Sequence, residues 1–335
     1  MNHINHNARA QRTLFLLFIF LILVFILSLF IGRYPRPPMM SPELLLQDEL
    51  AQRVVFNLRL PRLITALLLG MSLSAAGMVF QMIFTNPLVE PGFLGVSQGA
   101  AFGAALGIVL LDSTGSIIQL SAAVFAFTGL FSSYLLARRM KYGGWVLRLV
   151  LAGIAISALF SAGVGVLKFI ADPLSQLQEI TFWLLGGLWG ITWEKVFSIL
   201  PVVVIGLFVL YQMRWRLNLL SLEDQVSFSL GVLPSRERLV VLIAAVAITS
   251  AVISVSGMVS WIGLIMPHLS RRIFGANGRH ALPGAMLLGG IFAILCDDLA
   301  RTLFTGEIPL GILTSLIGAL FFIFLMISKP IKVKP

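Results

Sequence analysis

The chain has 335 residues, 58% of them hydrophobic and 11% charged, with a formal net charge of +10. Soluble domains carry about 25% charged residues, so this composition cannot cover a water-facing surface of the size that 335 residues would need. The single Cys296 rules out an intramolecular disulfide framework and a multi-cysteine metal site, and the basic residues stand in short clusters between apolar runs, which reads as a membrane-orientation signal and not as a nucleic-acid surface.

The first apolar run covers 14–31, after Arg9 and Arg12. It is longer than a signal-peptide core and is followed by Gly32-Arg33-Tyr34-Pro35, with no Ala-x-Ala cleavage site. An uncleaved first helix is expected, with 1–13 as a tail. Further runs lie near 60–82, 95–111, 117–137, 147–170, 194–211, 238–256, 260–274, 281–303 and 309–327. A crossing of a ~30 Å core takes about 20 helical residues. The expectation is an all-α polytopic membrane protein of about ten transmembrane helices. It is one transmembrane domain over 1–335 with a second tail at 328–335. The runs at 95–111 and 260–274 are short, and short or broken segments are tolerated where protein surrounds them.

Several segments stand out along this path. Arg59-Leu60-Pro61-Arg62 precedes the second run. Pro near a helix start is favourable because its missing N–H has no partner there anyway. The two arginines are expected on one face at the outer mouth, near water. Asn86-Pro87-Leu88-Val89-Glu90-Pro91-Gly92-Phe93-Leu94-Gly95 reads as a rigid irregular loop at the inner surface, with Asn86, Pro87, Glu90 and Pro91 as its gate-forming residues. Gly99, Gly103 and Gly107 recur every four residues, as do Gly153, Ser157, Ser161 and Gly165, so each set shares a helix face. Such a stripe either lets a neighbouring helix approach closely or forms the smooth wall of a path. Trp183, Trp189 and Trp193 fit an interfacial aromatic belt beside an outer loop.

After Arg214 and Arg216, the stretch Ser221-Leu222-Glu223-Asp224 to Gly231 reads as a short helix on the inner side. Ser221 sits at its start, acids lie in its first turn, and Gly231 stops it. Gly257-Met258-Val259-Ser260-Trp261-Ile262-Gly263 then reads as an outer turn. It leads into a short helix through Pro267 and His268 to basic Arg271. His268 has no partner ligand at metal spacing. Asp297-Asp298-Leu299-Ala300-Arg301 and Glu307-Ile308-Pro309-Leu310-Gly311 flank the last outer turn.

Sixteen of the 24 Lys and Arg residues fall on the side that holds both termini, and eight on the other. The bias places both termini in the cytoplasm. Five of the eight, Arg33, Arg36, Arg53, Arg59 and Arg62, crowd one outer stretch and need a separate role. No G-x-x-x-x-G-K-[ST] motif occurs, so the chain carries no nucleotide-cradling loop of its own and is not expected to be an enzyme. Ionisable residues are scarce at mid-depth, which weighs against an ion-coupled secondary transporter, the alternative reading.

With these motifs in order from about Val54 to Ile327, the chain resembles the bacterial ABC importer permease family that takes up iron–siderophore complexes, haem and vitamin B12, the FecCD-type transmembrane subunit. Ser260-Trp261 and the second acid Asp298 depart from its commoner pattern. The resemblance implies the type II ABC importer permease fold in the bacterial inner membrane, with no cofactor and no nucleic-acid partner. It implies a second permease subunit, most simply a homodimer, two cytoplasmic ATPase subunits, and a periplasmic or lipid-anchored substrate-binding protein. It implies that Arg59, Arg62 and Arg301 dock the binding protein. The ATPase would be coupled through Leu222, Glu223, Asp224 and Gly231. The cargo implied is a metal chelate, a ferric siderophore first, with cobalamin, haem or an oxyanion as the other family cargoes.

Overall fold

A computed structural model describes residues 2–35, 37–111, 114–304 and 306–327, and side chains from residue 7 onward. Arg36 and the tail 328–335, with Lys329, Lys332 and Lys334, lie outside the described residues. Helix α1 (Asn2–Phe30) already includes most of the expected N-terminal tail. The segment after α1 carries α2 (Leu44–Gln47) and α3 (Glu49–Arg53), and a π-helical stretch, Val54–Arg59, leads into α4 (Leu60–Ile83). A 3-10 turn, Pro91–Leu94, precedes α5 (Val96–Leu110). Then come α6 (Gly115–Arg139), α7 (Trp145–Ile170), α8 (Gln176–Leu185) and α9 (Trp193–Met213). Two short helices, α10 (Arg216–Leu220) and α11 (Asp224–Ser229), follow. Last are α12 (Pro234–Ser256), α13 (Ile262–Phe274), α14 (Gly278–Thr302) and α15 (Leu310–Ile327).

Among the described residues 8 helices are long and apolar enough to cross a membrane. Each of the runs expected from the sequence falls on a helix, but α5 and α13, of 15 and 13 residues, fall short of a crossing by themselves. At 1.5 Å per residue they reach only about 20 Å. The second span also differs from expectation. It does not begin at Leu60 but runs unbroken from Glu49 to Ile83. The π-helical turn explains this: Leu60 N–H reaches back to Val55 O, and the widened turn admits Pro61, which has no N–H to offer. Helix α8 sits in what the sequence presents as a plain outer loop.

Helix α4 is buried along nearly its whole length and is the axis of the bundle. It meets α14 and α13 at glycines. A methyl group on Gly70 would land on the Gly289 carbonyl, and one on Gly77 on the Gly263 carbonyl. The stripe Gly99, Gly103 and Gly107 packs α5 on α6 in the same way, and Ser121 Oγ donates to Gly103 O at 2.6 Å. Helices without side chains at the contact approach to backbone distance, which is how packing replaces the hydrophobic effect in lipid. In α13, Pro267 cannot donate to the carbonyl four residues back, Gly263 O. Gln81 Nε2 of α4 donates to it instead at 3.3 Å, while Gln81 Oε1 accepts from Arg271.

Candidate functional site

Three groups of polar or irregular residues interrupt the apolar bundle. The first lies where α1, α4 and α14 end together. Arg62 forks between two acids. Its Nε lies 2.9 Å from Asp297 Oδ1, and its Nη1 lies 2.8 Å from Glu307 Oε2. Arg301 pairs with Asp298 and donates to Ser28 O at 2.6 Å, and Ser28 Oγ donates to Asp298 Oδ2 at 2.5 Å. Arg59 donates to Leu29 O at 3.0 Å and Tyr34 O at 3.1 Å. Tyr34 in turn bonds Asp48, and this hydroxyl holds the Asp48 carboxyl below its usual range, helped by the Leu50 N–H.

The expectation that Arg59 and Arg62 stand near water is thereby corrected. Arg59 and Arg301 are buried, at 6% and 7% exposure, and the Arg62 side chain retains 12%. Sequence proximity to an outer segment suggested solvation. In the fold that segment and α14 close over the guanidinium groups and supply their partners. Arg59, Arg62 and Arg301 balance Asp297, Asp298 and Glu307 charge for charge. All three arginines nevertheless line one cavity of about 480 Å³, together with Arg33, Trp189 and Glu307. Glu307 is the exposed member of the set, at 40%. Arg33 was noted in the sequence only as excess charge. The roles of Ser28 and Glu307 had no local signal.

The second group is the loop after α4. Asn86 and Pro87 are exposed, and Asn86 Oδ1 caps Leu88 N–H at 3.0 Å. The chain then turns back into the bundle. Pro91 is buried against Gly263, and Glu90 accepts from the backbone N–H of Trp261. Trp261 holds φ at +74°, a left-handed backbone that bulky residues rarely adopt, at the head of α13. The stripe on α7 divides at this loop. Gly153 is buried against Phe93 O, whereas Ser161 and Gly165 are exposed and a methyl on Gly165 would meet nothing. One stripe thus packs closely at one end and leaves an open face at the other.

The third group is α10–α11. Helix α11 starts at Asp224 and not near Ser221, because Ser221 closes α10 and its hydroxyl donates to Asn218 O at 2.8 Å. Gly231 holds φ at +81° just past the helix, in open space. Its glycine therefore serves the backbone alone. Arg238 of α12, which the sequence did not single out, anchors the loop. It meets Asp224 Oδ1 at 2.5 Å and Leu220 O at 3.0 Å. Outward the loop shows Glu223 beside apolar Leu222, Val226, Phe228 and Leu230. Exposed apolar patches of this kind mark protein or membrane interaction sites in general.

A family model described as the FecCD transport family matches residues 20–328. The chain is 37% identical to the molybdate import system permease protein of Haemophilus influenzae over 318 residues, 93% of this chain and 94% of that protein. It is 40% identical to the hemin transport system permease protein of Yersinia pestis over 281 residues, 82% of this chain and 83% of that protein. It is 33% identical to the iron(3+)-hydroxamate import system permease protein of Bacillus subtilis, covering 93% and 95%. A solved inward-facing structure, assigned to the metal-chelate type of ABC transporter, superposes with a TM-score of 0.87 at 38% identity, over 94% of this chain and 99% of that one.

Proposed function

The chain belongs to the FecCD transport family, and from that premise we propose that two copies of it form the translocation path of a binding-protein-dependent importer carrying a metal chelate, a ferric siderophore first. It is a multi-pass ABC importer permease, and the eight long apolar helices among its described residues fit the inner membrane. In this reading α5 and α13 complete ten crossings, each shielded from lipid by its neighbours. Both termini lie in the cytoplasm, in keeping with the bias of Lys and Arg.

The observation that carries the reading is the placement of two unlike surfaces. The cavity of Arg33, Arg59, Arg62 and Arg301 lies at the Arg59 end of α4. The exposed α10–α11 loop lies beyond the far end of α9. The first is chemically suited to a carboxylate of the binding protein, which competes with exposed Glu307 for Arg62. The second is suited to a cleft of an ATPase, with Leu222 and Glu223 outward and Asp224 fixed by Arg238. The open end of the α7 stripe, Ser157 to Gly165, faces the path between the two permeases. The loop from Asn86 to Pro91, braced on Trp261, gates it from the inner side. The iron(3+)-hydroxamate and hemin relatives support a chelate cargo, and the molybdate relative keeps an oxyanion among the cargoes to assay.

The test is reconstitution. Vesicles containing the permease and its ATPase take up labelled ferric siderophore only with ATP and the loaded binding protein. Uptake by the permease alone under an ion gradient would replace this reading with a secondary transporter. Uptake of molybdate but not of any chelate would replace the cargo.

A further inference from the structure

A cavity of about 310 Å³ opens between the first half of α1, the C-terminal end of α9 and the N-terminal end of α14. Its lining is graded. Gln11, Arg214 and Arg279 stand at the rim, and Phe15, Phe18 and Leu287 lie further along the helices. From Gln11 to Phe18, and from Arg279 to Leu287, the helices rise about 10–12 Å. The cavity therefore passes from cationic to apolar over the distance from a phospholipid phosphate to its upper acyl carbons.

Two of the lining residues, Arg214 and Arg279, are cationic. Among the described residues neither has a carboxylate within ion-pair distance. The Arg214 guanidinium lies 3.8 Å from the centre of the Tyr211 ring, and its Nη1 donates to Tyr211 O at 2.6 Å. This holds the group in place while leaving further N–H donors. Arg214 is half-buried and Arg279 exposed, so both can be reached from outside the bundle. Exposed Phe15 and Phe18 offer the acyl wall.

We propose that this cavity binds one phospholipid with an anionic headgroup, its phosphate between Arg214 and Arg279 and an acyl chain along Phe15, Phe18 and Leu287. Basic pockets between transmembrane helices recognise such headgroups by this combination of charge and apolar depth. The lipid would also brace the corner that leads to α10. Gly278 has no room for a side chain beside Arg214 O, and Asn218 of α10 accepts from Gly278 N–H at 2.8 Å. Which leaflet supplies the lipid rests on the orientation proposed above, whereas binding to the purified protein does not.

Native mass spectrometry of the full chain in detergent, with equal phosphatidylglycerol and phosphatidylethanolamine, tests the site. Wild type should retain phosphatidylglycerol roughly tenfold or more over phosphatidylethanolamine. Arg214→Gln with Arg279→Gln should abolish the preference. Arg138→Gln with Arg139→Gln, an equal charge loss elsewhere, should keep it. Leu287→Trp, which fills the apolar end without changing charge, should reduce retention of phosphatidylglycerol. Inorganic phosphate at millimolar concentration should not displace the lipid. No preference in wild type, equal loss in both arginine pairs, unchanged retention in Leu287→Trp, or full displacement by phosphate would each overturn the site.

Discussion

The arginines at the Arg59 end of α4 illustrate how a charge survives near lipid: it is neutralised within the fold before it meets anything else. Asp297 is fully buried and lies against both Arg62 and Arg301. Removing one partner from a buried pair leaves an uncompensated charge, which costs about 3–5 kcal/mol. Docking tests must therefore separate contact from collapse. Glu307 provides the means, because it is exposed and touches Arg62 from outside. Glu307→Gln should tighten binding-protein association, since it removes the carboxylate that competes for Arg62. The effect of Glu307→Gln should shrink towards 1 M salt, where the Debye length is about 3 Å and the exposed carboxylate is screened. Association constants measured by surface capture at two ionic strengths check this, and an unchanged constant in Glu307→Gln would remove Arg62 from the docking surface.

Small residues have different meanings along a single element, and α7 shows it. Gly153 carries the carbonyl of Phe93 where a side chain would be, so Gly153→Ala overpacks the turn before α5. Overpacking of this kind costs roughly 1–3 kcal/mol, read as a lower unfolding temperature in detergent. Gly165 faces open space. Gly165→Ala should leave that temperature unchanged, and Gly165→Trp should slow uptake without lowering it if the open end lines the path. Equal unfolding temperatures for Gly153→Ala and Gly165→Ala would contradict the packing described. The repeat of four that the two positions share was visible in the sequence. Which end was covered was not, because the Pro91–Leu94 turn that covers it folds back from an irregular loop.

The arrangement of the whole molecule in the bilayer is open to direct labelling. Membrane-impermeant reagents should reach cysteines placed in 138–144 and 217–235 from the cytoplasmic side. Cysteines in 37–52 should react only from outside. The expectation rests on the distribution of Lys and Arg and on the helix lengths. Reaction of both inner segments from the outside would invert the assembly and exchange the two proposed surfaces.

The sequence by itself determined where the long helices lie, because lipid admits only long apolar runs with internally satisfied backbone. It also marked Gly231, whose left-handed backbone needs no tertiary partner to be recognised. Tertiary structure alone decided what the arginines do. Ser28 meets Asp298 across 270 residues and Arg62 meets Asp297 across 235, and no local pattern encodes such pairings. The start of the second span was decided the same way. A proline that signals a helix start by its missing N–H is carried inside a longer helix by one π turn. Lipid acts on each segment separately and so writes its demand into local composition. Burial and charge balance arise only where distant segments meet.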